Sequence, residues 1–264
     1  MLPTSPYLDL ELTRRWLTVW FNDPEQRNPL TQERVHALLE LCAALQNAPV
    51  QGVTFRGRGG WFCAGGDLKA FRSSVQGGAS RQDFIRLSLQ AADLFAAMAA
   101  LPQFTVMAVE GAAMASGFGM ACTGDMVIAS EGARFGLSET RIGLTPAQIA
   151  PSVVARIGLP AARRLMLSGA MIDAKDALGL GLVDQITATG DMDCALADIQ
   201  NSVLAAAPQA MSAIKRQLIQ MPYQNREEQR QEAAESFADR LLSDEAREGV
   251  SAFFQKRKPS WAGG

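Results

Sequence analysis

The stretch FTVMAVEGAAMASGFGMACTGD, Phe104–Asp125, decides how this chain is read. Phe104–Val109 is short, apolar and β-favouring, as a buried strand should be. The residues after it are crowded with Gly, Ala, Ser and Thr. Small residues at a strand end serve tight packing, or they let another group approach the backbone closely. A shorter stretch, FCAGGD (Phe62–Asp67), repeats the design after the strand-like GVTFRGR (Gly52–Arg58). In both places a buried strand runs into a Gly/Ala loop and a helix begins. Asp67 is the expected N-cap of the first helix. The second is expected to be helical by Gly117. Helix starts leave amide N–H groups unpaired, and two such groups aimed at one carbonyl oxygen make an oxyanion hole.

Outward from these loops the chain alternates strand and helix. YLDLEL and WLTVWF are strands, with Thr13–Arg15 as the turn between them. NDPEQRNP is a loop. LTQERVHALLELCAAL and QDFIRLSLQAADLFAAMAAL have helical periodicity, and SSVQGGASR before the latter reads as a mobile surface loop. MVIAS and ARFGL are short strands. Beyond residue 145 the chain is mostly helical, with LVDQITA as a last strand and AREGVSAFFQKRKPSWAGG as a tail. Alternation followed by helices argues for an α/β core with a helical C-terminal region.

Composition narrows the function classes. The chain has 264 residues, 48% hydrophobic and 20% charged, with a net charge of −2. No basic field points to nucleic acid or an anionic membrane surface. No apolar run reaches spanning length. Cys42, Cys63, Cys122 and Cys194 form no C-x-x-C pair, and the N-terminus carries no secretory signal. Reduced thiols and a cytoplasmic location are therefore expected. His36 is the only histidine, and its helix has an apolar stripe at Val35, Leu38, Leu39 and Leu41. A structural role is expected for His36, so neither a zinc site nor a Ser-His-Asp triad is expected. MASGF lacks the first glycine of a nucleophile elbow, and GFGMAC lacks the third glycine of a dinucleotide fingerprint.

RNPL, FCAGGDLKAF, VEGAAMASGFGMACTGD and ARFGLSETRIGLTP, in this order, resemble the crotonase (enoyl-CoA hydratase/isomerase) superfamily. FFQKRKPSW extends the likeness to the end of the chain. The resemblance implies a crotonase-like spiral of ββα units over residues 1–200. Residues 201–264 would form a helical region for oligomerisation and CoA contact. It implies an acyl-CoA substrate, no separate cofactor or metal, and a homotrimer or dimer of trimers. By the resemblance, Gly66 and Ser116 supply the oxyanion amides. Glu139 stands at the family's catalytic PE motif, written here Ser138-Glu139. Ala115, Gly117, Gly119 and Ser138 would line the substrate pocket. Arg27, Asn28, Ala64, Lys256, Arg257 and Lys258 would meet CoA, the basic tail in part on a neighbouring subunit.

The family's hydratases often have a second glutamate where this chain has Gly119. The missing side chain is expected to leave room for a branch at C3 of the substrate. GRGGWFCAGGDLKAF, EGAAMASGFGMACTGD and GLTPAQIAP further resemble the isohexenylglutaconyl-CoA hydratases of acyclic terpene (citronellol/geraniol) breakdown. The 3-methylglutaconyl-CoA hydratases are near neighbours. Water addition to a branched enoyl-CoA is thus the expected reaction. A Δ3,Δ2-enoyl-CoA isomerase using one glutamate is the alternative. From a different class, a non-catalytic CoA-binding or RNA-binding homologue is the remaining one.

Overall fold

The computed structural model describes residues 2–262. In chain order its elements are β1 (Leu8–Thr13), β2 (Trp16–Phe21), α1 (Gln32–Leu45), β3 (Gly52–Gly57), α2 (Leu68–Gln76), α3 (Arg81–Ala99), β4 (Phe104–Val109), β5 (Ala112–Met114) and α4 (Ser116–Ala121). Then come β6 (Met126–Ser130), β7 (Arg134–Gly136), α5 (Ala150–Ser168), β8 (Met171–Asp173), α6 (Ala174–Gly179) and β9 (Gln185–Thr187). The chain closes with α7 (Met192–Leu204), α8 (Pro208–Gln220), α9 (Arg226–Leu241) and α10 (Asp244–Phe254).

One sheet has the order β1-β2-β3-β4-β6-β9, and a smaller one has β5-β7-β8. In the larger sheet only the β1–β2 pair is antiparallel. The strand β4 lies in the large sheet, β5 in the small one, and α4 follows; β6, β7 and α5 repeat the step. Cys63 bridges Ala113 in parallel, so the segment after β3 lies beside β5 as an unfinished strand. The ββα spiral is thus built in the structure.

The core explains the strand periodicities. Leu17, Val19 and Phe21 are fully buried on one face of β2, and Val106–Val109 are fully buried on both faces of β4. A strand covered on both sides reads as a continuous apolar run, which is what FTVMAV is. Val35, Leu38 and Leu41 of α1 pack into the same cluster. His36 does not share their stripe: it is exposed, 3.4 Å from the Gln90 side chain of α3.

Some elements depart from expectation. The three-residue strands β5 and β8 are too short to show a period. The surface loop expected at SSVQGGASR is largely helix, because α2 runs through Gln76 and α3 starts at Arg81. The segment expected as a tail forms α10, capped by the Ser243 side chain on the Ala246 N–H. Helix α7 runs across residue 200, where the helical region was expected to begin.

Candidate active site

Strands β2, β3, β4 and β6 are parallel, so the loops that follow them gather at one end of the sheet. Two of those loops clasp. The Cys63 N–H donates to the Ala112 carbonyl at 3.0 Å, and the Met114 N–H donates to the Cys63 carbonyl at 2.9 Å. A Cβ on Gly117 would lie 2.6 Å from the Cys63 carbonyl oxygen, so this approach requires glycine there. Beyond the clasp, Ser116 Oγ is 3.8 Å from the place a Cβ on Gly66 would occupy. Among the described residues neither the Gly66 nor the Ser116 amide has an acceptor. Both residues are half-buried. Two free amides side by side are a site for a developing negative oxygen.

Ala115 holds Ser116 in place at a backbone angle unusual for a residue with a Cβ, φ 49° and ψ −114°. Such strain costs about 1–3 kcal/mol and persists only where the surroundings impose it. Here its N–H donates to the Gly136 carbonyl at 2.8 Å, and its carbonyl accepts from Gly119 N–H at 3.0 Å.

The same Gly136 brings in the carboxylate. It ends β7, whose pairing sets Met114 opposite Gly136. Ser138 then precedes a 3-10 turn, Glu139–Ile142, and its carbonyl accepts from the Arg141 N–H at 3.1 Å. Glu139 is half-buried, and its buried Oε2 has no hydrogen-bond partner. Burial raises its pKa above the ordinary carboxylate range, opposed by a hydrogen bond from its own backbone N–H. A carboxyl that holds a proton more readily, with one oxygen unengaged, is equipped to take up and return protons.

The pocket-lining expectation needs correction at two glycines. The space beside Gly119 is not open: a Cβ there would lie 2.2 Å from Ile149 Cγ2 and 2.5 Å from Ile149 Cβ. Ile149 is 97% shielded from solvent. The room expected for a substrate branch is thus filled by Ile149, and the space beside Gly117 is filled by Cys63. Ala115 and Ser138 stay half-buried beside the amides and the carboxylate.

The residues expected to meet CoA divide into two groups. Arg27 is exposed, with its guanidinium 4.6 Å from the Trp61 ring centre, and its carbonyl accepts from Ala64 N–H at 3.0 Å. Asn28 is fully buried. Its amide donates to the Arg58 and Trp61 carbonyls at 3.0 and 2.6 Å and accepts from the Asp23 N–H at 2.8 Å. The Asn28 side chain is therefore a brace between two loops at the site, not a free contact. Lys256, Arg257 and Lys258 lie elsewhere. The Arg257 guanidinium is paired with Glu248 at 2.6 Å, and nearby Trp261 accepts from Arg15, in the turn before β2. That is the opposite end of the sheet, one six-residue strand or about 20 Å away. The structure does not bring this tail to the site of its own chain.

Phe71 was not anticipated. Its ring edge lies 3.2 Å from the Cβ position of Gly66, so it borders the first amide. The signal was available in the spacing Leu68, Phe71, Val75, an apolar stripe on one helix face. Helix α2 buries none of its residues, and Leu68 and Val75 are 56% and 67% exposed. The stripe faces no core.

Residues 15–264 match the family described as Enoyl-CoA hydratase/isomerase. The chain belongs to this family. A putative enoyl-CoA hydratase of Thermus thermophilus is 35% identical over 242 residues, covering 91% of this chain and 95% of that one. The crystal structure of an enoyl-CoA hydratase/isomerase from Marinobacter aquaeolei is 36% identical with a TM-score of 0.94, covering 98% and 100%. Pseudomonas aeruginosa AtuE is 38% identical with a TM-score of 0.94, covering 97% and 99%. The crotonase fold therefore holds across 98% of this enoyl-CoA hydratase/isomerase chain. Among its described residues no helix is long and apolar enough to cross a membrane, and no group of three or more His, Cys, Asp or Glu is placed to hold a metal.

Proposed function

We propose that this protein adds water across the 2,3 double bond of an enoyl-CoA thioester. The observation that carries the reading is the half-buried Glu139 carboxyl, with Oε2 unpartnered, in the turn after β7, the strand that also fixes the loop of the free Ser116 amide. The Gly66 and Ser116 amides would take the thioester oxygen. Polarisation makes C3 electrophilic and lets charge develop on that oxygen. Glu139 takes a proton from water as the water oxygen bonds to C3. The enolate then collapses, and Glu139 returns the proton to C2. One carboxyl serves as base and then acid, and the atoms of one water are added.

Leu68, Phe71 and Val75 are the proposed wall for the acyl chain, because they present apolar surface beside Gly66. For the acyl group itself we propose a branched, 3-substituted glutaconyl chain, as in acyclic terpene or leucine-type catabolism. The likeness of the loop motifs supports this; the space beside Gly119 does not. Lys69, Arg72 and Arg141 are candidates for a free substrate carboxylate. Lys69 is the one already engaged, at 3.3 Å from Gln26.

A single carboxyl also suits the isomerase reading, in which Glu139 moves a proton between C4 and C2. Ile149, packed where a side chain at 119 would project, favours that reading by making this face of α4 apolar. We further propose a trimer or dimer of trimers. Phe237, Leu242, Phe253 and Phe254 are 69–78% exposed on the C-terminal helices and need a covering surface. In such an assembly the basic tail would serve a neighbour's CoA.

The test is a panel of crotonyl-CoA, a 3-enoyl-CoA, 3-methylglutaconyl-CoA and isohexenylglutaconyl-CoA, with products read by mass. A gain of one water on a 2-enoyl-CoA supports the hydratase. Double-bond migration without a mass change moves the assignment to the isomerase. No conversion of any of them, with CoA still bound, supports the non-catalytic homologue.

A further inference from the structure

A wide cleft lies away from the catalytic loops. It has a volume of about 920 Å³ and lies between the starts of β3 and β4 and the helices α8 and α9. Gln51 and Gln103, the residues just before those strands, form its floor. The candidate active site follows the other ends of the same strands, about 20 Å away.

The lining is chemically one-sided. Arg15, Lys215, Arg216 and Arg240 face the cleft, and no lining residue is acidic. Lys215 is spent: its Nζ donates to Asp125 Oδ2 at 2.6 Å and to the Gln103 carbonyl at 2.8 Å. The arginines are not. Arg15 donates to the Trp261 carbonyl and Arg240 to Gln209 Oε1 at 3.0 Å, both neutral acceptors. Arg216 is exposed and has no acceptor among the described residues. Each guanidinium has five donors, so most are unused. Between them, Pro49, Val50, Leu101, Pro102 and Ile219 supply apolar wall. Three unneutralised guanidinium groups beside an apolar wall suit an amphipathic anion.

We propose that this cleft is a second ligand site, for a small organic anion with a carboxylate head on an apolar body. The site is separate from the centre at Gly66, Ser116 and Glu139. Acidic protein surface is the competing occupant, since α9 carries Glu227, Glu228, Glu232 and Glu235 together.

The test is calorimetric titration of the full-length protein with octanoate, with inorganic phosphate for the charge alone and octanol for the chain alone. Octanoate should bind saturably and more tightly than either. Arg216→Gln combined with Arg240→Gln should weaken it at least about tenfold, the loss expected for a charge-assisted hydrogen bond. Its affinity should be unchanged by saturating CoA. The variants should keep the wild-type melting temperature and the wild-type KM for the acyl-CoA substrate. The Arg216→Lys variant alone should retain most of the affinity. Three results would overturn the proposal: no octanoate binding, binding that CoA displaces, or binding indifferent to the arginine changes. So would a change of oligomeric state in the variants, which would assign the cleft to subunit contact.

Discussion

The two clasped loops each present one free amide, and they are held in opposite ways. The second loop belongs to the core: Gly117–Ala121 of α4 are all buried, and no side chain caps that helix. The first belongs to the surface: α2 buries nothing, and the Asp67 carboxylate caps it on the Ala70 N–H at 2.9 Å. Gly65, in the first loop, takes φ +104°, where glycine is unstrained. Ala115, in the second, takes φ 49° with a Cβ in place. One amide is fixed by packing and strain, the other by a cap and glycine freedom. Changes in the second loop should therefore appear as lost stability, and changes in the first as altered substrate preference.

The largest effect should come from the group that both loops serve. Glu139→Gln keeps shape but cannot accept the proton, so kcat should fall by about 100- to 10,000-fold with CoA binding nearly intact. Near-normal turnover would break the comparison at its root, because the amides would then be serving another base. Stability should move the other way. Burial raises the folded carboxyl's pKa, so the folded state binds the proton more tightly than the unfolded chain does. Between the unfolded and the folded pKa, stability falls as pH rises, and the full penalty is present above that window. The Gln variant should melt higher than wild type at neutral pH, and the gap should close in acid. The acid limb of kcat/KM should lie above the ordinary carboxylate range and vanish in the variant's residual activity.

Next is the contrast between the loops themselves. Gly117→Ala drives a Cβ against backbone, the Cys63 carbonyl, and Gly119→Glu drives one into buried Ile149. Overpacking of this kind typically costs about 1–3 kcal/mol. Both should lower the melting temperature, and Gly119→Glu should not raise turnover of a branched substrate. Gly66→Ala meets the Phe71 ring edge at 3.2 Å, where that half-buried ring can shift, and Ser116 Oγ at an ordinary 3.8 Å. It should melt near wild type while changing KM among acyl chains. A Gly66→Ala variant that melts as low as Gly117→Ala would erase the distinction.

A smaller effect is expected at the tail. Arg257 is bound to Glu248, which leaves Lys256 and Lys258 as the free charges of the run. Exposed ion pairs are worth about 0.2–1 kcal/mol, so changing both lysines to Ala should weaken CoA binding only a few-fold. The loss should shrink as salt is added. Unchanged affinity at low salt would place the phosphates elsewhere.

What could be read in the sequence follows from how local each feature is. The buried strands, the Asp67 cap and the paired small-residue loops are legible because period, capping chemistry and residue size act over a few positions. The strands β5 and β8 are not, since three residues show no period. The site divides the same way. The loops of Gly66 and Ser116 and the turn of Glu139 carry motifs. The partner of Gly119 does not: Ile149 is thirty residues away in the chain and is met only through the packing of α5 on α4. The absence of a side chain at 119 therefore suggested open space where the fold had put a methyl group. Phe71 is legible as part of the stripe Leu68, Phe71 and Val75, which no core covers.

The smallest effect separates amide from hydroxyl in the second loop. Ser116 stands where the proposed donor is a backbone N–H, and its Oγ lies near Gly66, close enough to invite a catalytic reading. Ser116→Ala removes the hydroxyl and leaves the amide. The backbone is set by Ala115, whose two hydrogen bonds to Gly136 and Gly119 do not involve the Ser116 side chain. Nor does that side chain cap α4, so its loss frees no helix amide. Turnover should stay within a few-fold of wild type, well short of the roughly 100- to 1000-fold loss typical when an oxyanion donor is removed. The measurement is kcat and KM on the substrate the panel identifies. A hundredfold fall with an unchanged melting temperature would make the hydroxyl the donor. The second loop would then act through a side chain, and its rigid burial would need a different explanation.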